Sequence, residues 1–252
     1  MPAYRLIAIA LATNGITSLW RAVAVTLAFT ALARWIRGVS RSGAAAGAIV
    51  CFLLIACVGL GAFAGLITVF ALTWVATRFG YRRKQAIGVA ERAEGRKASQ
   101  VSANLGVAAV CALLYWFSHR NSLFLVALVA ALSEAAADTV SSELGQAANR
   151  QARLITTWKP VPAGTNGGIS AIGTLSGMAA AALTTGICVV SGLLPWHYLT
   201  TCLGGAVVGM FFDSLLGASL ERQGRIGNDT VNFFSTLMAA LLAGGGVLVF
   251  SK

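Results

Sequence analysis

Long stretches of uninterrupted apolar sequence decide what this chain can fold into. Eight of them run near residues 6–33, 43–60, 61–79, 102–118, 122–146, 167–192, 197–220 and 231–250. Crossing a bilayer as a helix takes about 20 such residues. The stretches do not alternate with period two, which excludes a transmembrane β-barrel, and lipid obliges the backbone to bond within each segment. The expected fold is all-α: a polytopic integral membrane bundle of about eight transmembrane helices, one transmembrane domain over residues 1–252. Only 11% of the residues are charged and 57% are hydrophobic, against roughly 25% charged in a soluble domain. No water-soluble core of this size hides so much apolar surface. The first stretch is too long for a cleavable signal peptide; it carries Arg21 and is expected to be tilted or broken. The second and third stretches share one apolar run, with a tight turn expected at Gly59, Gly61 and Gly65. The five cysteines lie inside apolar stretches and read as small buried hydrophobes, with neither disulfide nor zinc spacing.

Basic residues orient the bundle. If residues 34–41 face the cytoplasm, so do 78–101, 147–166 and 221–230; these segments hold fifteen Arg and Lys, against three on the other side. The net charge of +11 therefore reads as topology and attraction to anionic headgroups, and no nucleic-acid motif accompanies it. Both histidines, His119 and His197, fall on the sparse side. Of the eight acidic residues, seven lie at or near the cytoplasmic helix ends, and Glu134 alone sits deeper.

A carboxylate in a membrane segment is costly unless paired or coordinated. Asp138 and Ser142 share a helix face, which Glu134 extends inward, and Glu143 points elsewhere. Asp213, Gly217 and Glu221 form a second stripe at i, i+4, i+8. Asp138 and Asp213 read as functional; Glu91, Glu94 and Glu221 read as solvated charges. Gly164-Thr165-Asn166-Gly167-Gly168 enters the sixth stretch, where backbone N–H groups and a helix N-terminus favour an anion; the alternative is a flexible turn. Lys97, Gln100 and Asn104, at i, i+3, i+7, bring a cation and two amides to one face, suited to a phosphate or base edge, or else to snorkelling of Lys97. Asn228 or Asp229 suits an N-cap of the last helix, whereas Asn232 lies a turn inside the membrane.

Paired carboxylates, an anion cradle and a basic entrance suit Mg²⁺-dependent handling of a nucleoside triphosphate. No Walker A pattern is present. These residues resemble the integral membrane family that includes the chloroplast phytyl-phosphate kinase and its bacterial, archaeal and animal relatives. The resemblance rests on Arg96-Lys97-x-x-Gln100-Val101-x-Ala103-Asn104, Ala137-Asp138-Thr139-x-x-Ser142-Glu143-x-Gly145, Gly164 to Ser170, and Asp213 to Ala218 followed by Asn228 and Asn232. It covers roughly residues 80–235, with 1–79 carrying N-terminal membrane helices. Val140 and Ser141 depart from the aromatic and small residues the family is expected to carry there.

The resemblance implies transfer of a phosphoryl group from a nucleoside triphosphate, CTP favoured, to an isoprenyl monophosphate. In that reading Asp138, Glu143 and Asp213 hold Mg²⁺, Gly164 to Gly168 cradle phosphates, and Lys97 neutralises their charge. Ser142, Gln100, Asn104, Asn228 and Asn232 orient the nucleotide or acceptor. The expected partners are the isoprenoid lipid phosphate, the nucleotide and membrane lipids, at a cytoplasmic active face. A prenol kinase or a lipid-phosphate cytidylyltransferase is the neighbouring alternative. An ion-coupled transporter relaying through Glu134, Asp138 and Asp213 is the rival of another class.

Overall fold

The computed structural model describes residues 3–148 and 151–250; Arg150 and Lys252, which enter the charge asymmetry, lie outside them. Eight long helices stand where the hydropathy puts them: α1 (Ala3–Trp35), α2 (Arg41–Cys57), α3 (Leu60–Arg78), then, after a short α4 (Tyr81–Ala86), α5 (Ala98–Phe117), α6 (Ser122–Ala147), α7 (Ala171–Val190), α8 (Leu199–Leu216) and α9 (Asn228–Phe250). Six of them are long and apolar enough to cross a membrane, and α2 is a shorter apolar helix. α1 is one unbroken helix of 33 residues, about 50 Å long at 1.5 Å per residue. The α2–α3 turn falls at Gly59, whose φ of +120° is open to glycine and closed to side chains.

α6 is the axis of the bundle, buried on every side from Leu125 to Ala137 and packed by α3, α5, α7, α8 and α9. A helix apolar all round belongs at a core, and its alanines let neighbours come close, as membrane packing requires. On α7, a Cβ at Gly177 would stand 2.7 Å from the Ala137 carbonyl oxygen, and one at Gly173 equally near that of Ser141. On α8, a Cβ at Gly209 would stand 2.6 Å from Glu134 Cγ and 2.9 Å from the Ser235 carbonyl oxygen of α9. These contacts press α7, α8 and α9 against the polar half of α6.

One end of the bundle is knitted by its connections. Residues 38–40 pair with Arg96: the Ser40 N–H donates to the Arg96 carbonyl at 2.9 Å, and the Arg96 N–H to that of Gly38 at 3.2 Å. Trp74 Nε1 of α3 donates to the Ile36 carbonyl at 3.2 Å, and Arg83 Nη1 to that of Ala147 at 2.7 Å. The connection from α6 to α7, which hydropathy leaves featureless, forms a small antiparallel sheet of order β2-β1-β3, from β1 (Ala152–Leu154), β2 (Pro160–Val161) and β3 (Gly168–Ile169). β3 takes the first residues of the expected sixth crossing, and α7 starts only after Ser170, whose hydroxyl accepts the Gly173 N–H at 3.1 Å. α8 also ends early. It continues as a π-helical turn over Gly217–Glu221, closed by the Arg222 N–H on the Gly217 carbonyl at 3.1 Å. This turn breaks the expected i, i+4, i+8 stripe.

Candidate functional site

The site starts between α6 and α8. Asp138 of α6 and Asp213 of α8 face each other closely enough for their carboxyl groups to interact. Asn232 of α9 holds the second: with its amide oriented to meet its partners, the nitrogen donates to Asp213 Oδ2 at 3.3 Å and to the Asn228 carbonyl at 3.2 Å. Its oxygen accepts from Asn104 Nδ2 of α5 at 3.0 Å, and Asn104 donates also to the Gln100 carbonyl at 2.8 Å. Asn104 and Asn232 are both buried, so a chain of amides through three helices fixes Asp213. Two carboxyl groups side by side in a membrane protein call for a cation or a proton between them.

The cation that faces Asp138 is Arg96, not Lys97. Arg96 Nη1 reaches Thr139 Oγ1 at 3.5 Å, and its Nε is buried without a partner. Lys97 is exposed at the start of α5, where its N–H donates to Gln100 Oε1 at 2.9 Å, and it does not line the site. The helical spacing assumed for 97–104 holds, but α5 begins at Ala98 and the extended backbone at Arg96 turns that side chain inward.

Glu143 lies on the same cavity as Asp138, but it has partners of its own within the protein. Thr77 Oγ1 donates to it at 3.1 Å, and Lys84 Nζ forms an ion pair with it. Lys84 is wholly buried and donates further to the Ala76 and Thr77 carbonyls at 3.0 and 2.8 Å, capping the end of α3. With its charge balanced in this way, Glu143 closes the contact of α3, α4 and α6, and of the three expected metal ligands only Asp138 and Asp213 stand together. Among the described residues no group of three metal-binding side chains converges. Two carboxylates with room for water and phosphate oxygens are the ligand set that suits Mg²⁺.

Around these groups lies a polar cavity of about 170 Å³, with Asp138, Ser142, Glu143, Arg96, Glu91, Gln146 and Asn228 on its wall. Gln146 carries no signal in the sequence. Glu91, read there as a solvated charge, accepts from Gln100 Nε2 at 2.9 Å. The π-helical turn brings Glu221 into the electrostatic field of Asp138 and Asp213. Deeper on α6, Glu134 is 1% exposed, with both oxygens lacking a hydrogen-bond partner. Ser235 lies beside it but gives its proton to the Asn232 carbonyl at 3.0 Å.

The glycine stretch does not reach the cavity. Gly167 packs on Ala218 so closely that a Cβ would overlap it, and Gly164 packs on Val89, whose other side lines the cavity. The Thr165 and Gly168 N–H groups bond within the loop, to the Pro162 and Thr165 carbonyls at 3.2 and 2.9 Å, and Asn166 is exposed. The loop is thus a buttress behind Val89 and the end of α8, not the expected phosphate cradle. A second cavity of about 340 Å³ shares Glu91, Arg96, Gln100, Asn104 and Thr139 with the first.

The family described as integral membrane protein DUF92 matches residues 24–240 of this chain, a span that includes every side chain of the site. An uncharacterized membrane protein of Methanocaldococcus jannaschii is 31% identical over 217 residues, 85% of this chain and 87% of that protein. An uncharacterized membrane protein of Synechocystis is 34% identical over 173 residues, 67% of each chain. Protein VTE6, chloroplastic, of Arabidopsis thaliana is 29% identical over 216 residues, 82% of this chain and 65% of that protein. No solved structure matches.

Proposed function

The chain belongs to the DUF92 family of integral membrane proteins, and from that premise we propose that it is a membrane-embedded, Mg²⁺-dependent kinase. Its reaction transfers a phosphoryl group from a nucleoside triphosphate, CTP favoured, to an isoprenyl monophosphate. The observation that carries this reading is the meeting of Asp213 with Asp138, which lines a polar cavity beside Arg96 within an apolar bundle. Substrate class comes from the motif resemblance to the family of the chloroplast phytyl-phosphate kinase, and a chloroplast protein stands among the relatives. The cavity lies at the arginine- and lysine-rich end, which the positive-inside rule assigns to the cytoplasm.

Asp138 and Asp213 would hold Mg²⁺, which when bound supplies positive charge to the phosphate oxygens of the nucleotide. Arg96 offsets charge on the phosphoryl group in flight. Ser142, Gln100 and Asn228 present hydrogen-bonding groups to the nucleotide or acceptor phosphate. An oxygen of the acceptor phosphate attacks the terminal phosphorus, the bond to the bridging oxygen breaks, and the nucleoside diphosphate leaves with the electron pair. A phosphate is already ionised near neutral pH, so no strong general base is needed; both histidines belong to the opposite end of the bundle.

The test is an assay of purified protein with radiolabelled nucleoside triphosphates and prenyl monophosphates. A prenyl diphosphate is the expected product. A CDP-lipid with release of pyrophosphate identifies a cytidylyltransferase instead, and a monophosphate formed from free prenol identifies a prenol kinase. The unpartnered Glu134 favours one rival, ion-coupled transport. Nucleotide-independent cation flux in proteoliposomes, without phosphoryl transfer, would replace the kinase reading with that one.

A further inference from the structure

The larger cavity is apolar, and its volume of about 340 Å³ falls within the roughly 300–1,000 Å³ of small-molecule sites. α1, α2, α3 and α5 form its sides, with Phe29, Gly47, Leu66, Phe70 and Leu105 on the wall. Its rim is basic: Arg37, Arg78 and Arg92 line it, and Arg96 stands where it joins the polar cavity. Helix packing in a bilayer rests on close contact, because lipid already offers hydrocarbon outside. A cavity walled by methyl groups and rings forfeits such contact, so an amphiphilic occupant is the economical reason for one beneath a cationic rim.

Two of the rim arginines are free for an anion. Arg78 donates to the Ile36 carbonyl at 2.5 Å and stacks over Trp74 at 4.1 Å. Arg37 and Arg92 are exposed, and neither is in the ion pair found among the described residues, Lys84 with Glu143. Arg37 also has φ of +56°, a conformation uncommon outside glycine, Asn and Asp and often kept where function needs it.

We infer that this cavity is the acceptor's chain site: it holds a single prenyl-type hydrocarbon chain, with the attached phosphate received by Arg37 and Arg92 and passed to Arg96 at the junction. Donor and acceptor then occupy different cavities that meet at the wall formed by Glu91, Arg96, Gln100, Asn104 and Thr139. The inference rests on the kinase reading for its ligand class. Gly47 controls the depth of the chain site. A Cβ there meets nothing within 4 Å, and replacing glycine inside a helix raises helix propensity by up to about 1 kcal/mol, so a large side chain fills the cavity without unfolding the protein.

The experiment measures binding rather than turnover: thermal stabilisation of the purified full-length protein titrated with geranylgeranyl monophosphate, without nucleotide or divalent cation. Gly47→Phe should weaken this ligand by at least about tenfold and leave the short dimethylallyl monophosphate unchanged. Arg37→Gln combined with Arg92→Gln should weaken both. Gly106→Phe is the control, since its Cβ also meets nothing within 4 Å but is off the cavity wall, and it should bind as wild type. Wild-type affinity in Gly47→Phe, equal affinity for the unphosphorylated alcohol, or equal affinity for two-chain phosphatidic acid would each overturn the assignment. Binding that follows these variants in a protein without phosphoryl transfer would defeat the kinase reading and keep the chain site. Transfer that is indifferent to Gly47→Phe on long chains would do the reverse.

Discussion

Asp138 and Glu143 lie five residues apart on one helix and have opposite fates. Glu143 meets a buried lysine and a threonine hydroxyl, and its charge is balanced within the protein. Asp138 meets a second carboxyl group, with one arginine facing it. The first arrangement is closed and fastens α3 and α4 to α6. The second is open: its acceptor oxygens outnumber the donors that face them. In a membrane, where an isolated charge is costly, a balanced carboxylate reports architecture and an unbalanced pair reports where a ligand belongs.

The contrast can be broken at either carboxylate. Asp138→Asn and Asp213→Asn should each lower phosphoryl transfer by at least about a thousandfold, the scale of lost metal assistance, with unchanged helix content and thermal midpoint. Lys84→Met should instead destabilise the fold by about 3–5 kcal/mol, because it leaves Glu143 buried and unpaired. Denaturant unfolding checks this, and the double change Lys84→Met with Glu143→Leu should recover most of the loss. Arg96→Gln should lower the turnover rate by about a hundredfold, whereas Lys97→Gln should leave it within about twofold, as for an exposed charge; steady-state kinetics of the pair separates the two neighbours. Smallest is Glu134→Gln, expected to hold or raise stability by about 1 kcal/mol, because it removes a buried charge-bearing group that has no partner.

The helices were legible because lipid leaves the backbone one solution, and hydropathy reads that solution directly. Asp138 and Asp213 were legible for the same reason: a carboxylate in such a segment needs an explanation. What escaped were partners remote in sequence. Lys84 reaches Glu143 across 59 positions, and nothing local to either residue announces the pair. Arg96 points inward because its backbone pairs with Gly38 and Val39, a contact that helical spacing within 97–104 does not contain. The glycines at 164–168 are ambiguous in the sequence because an anion cradle and a tight backbone approach both demand the loss of Cβ. Here Gly167 serves the approach to Ala218. Strands of two or three residues carry too short a pattern to be seen in the sequence.

The shared cation of Asp138 and Asp213 is the claim on which the chemistry stands, and Mn²⁺ binding followed by electron paramagnetic resonance probes it without any assumption about substrate. The purified protein should bind Mn²⁺ at a site that Mg²⁺ displaces, and either single change to asparagine should abolish that site while Glu143→Gln spares it. Mn²⁺ bound equally well by Asp138→Asn and Asp213→Asn, or lost only in Glu143→Gln, would contradict the account.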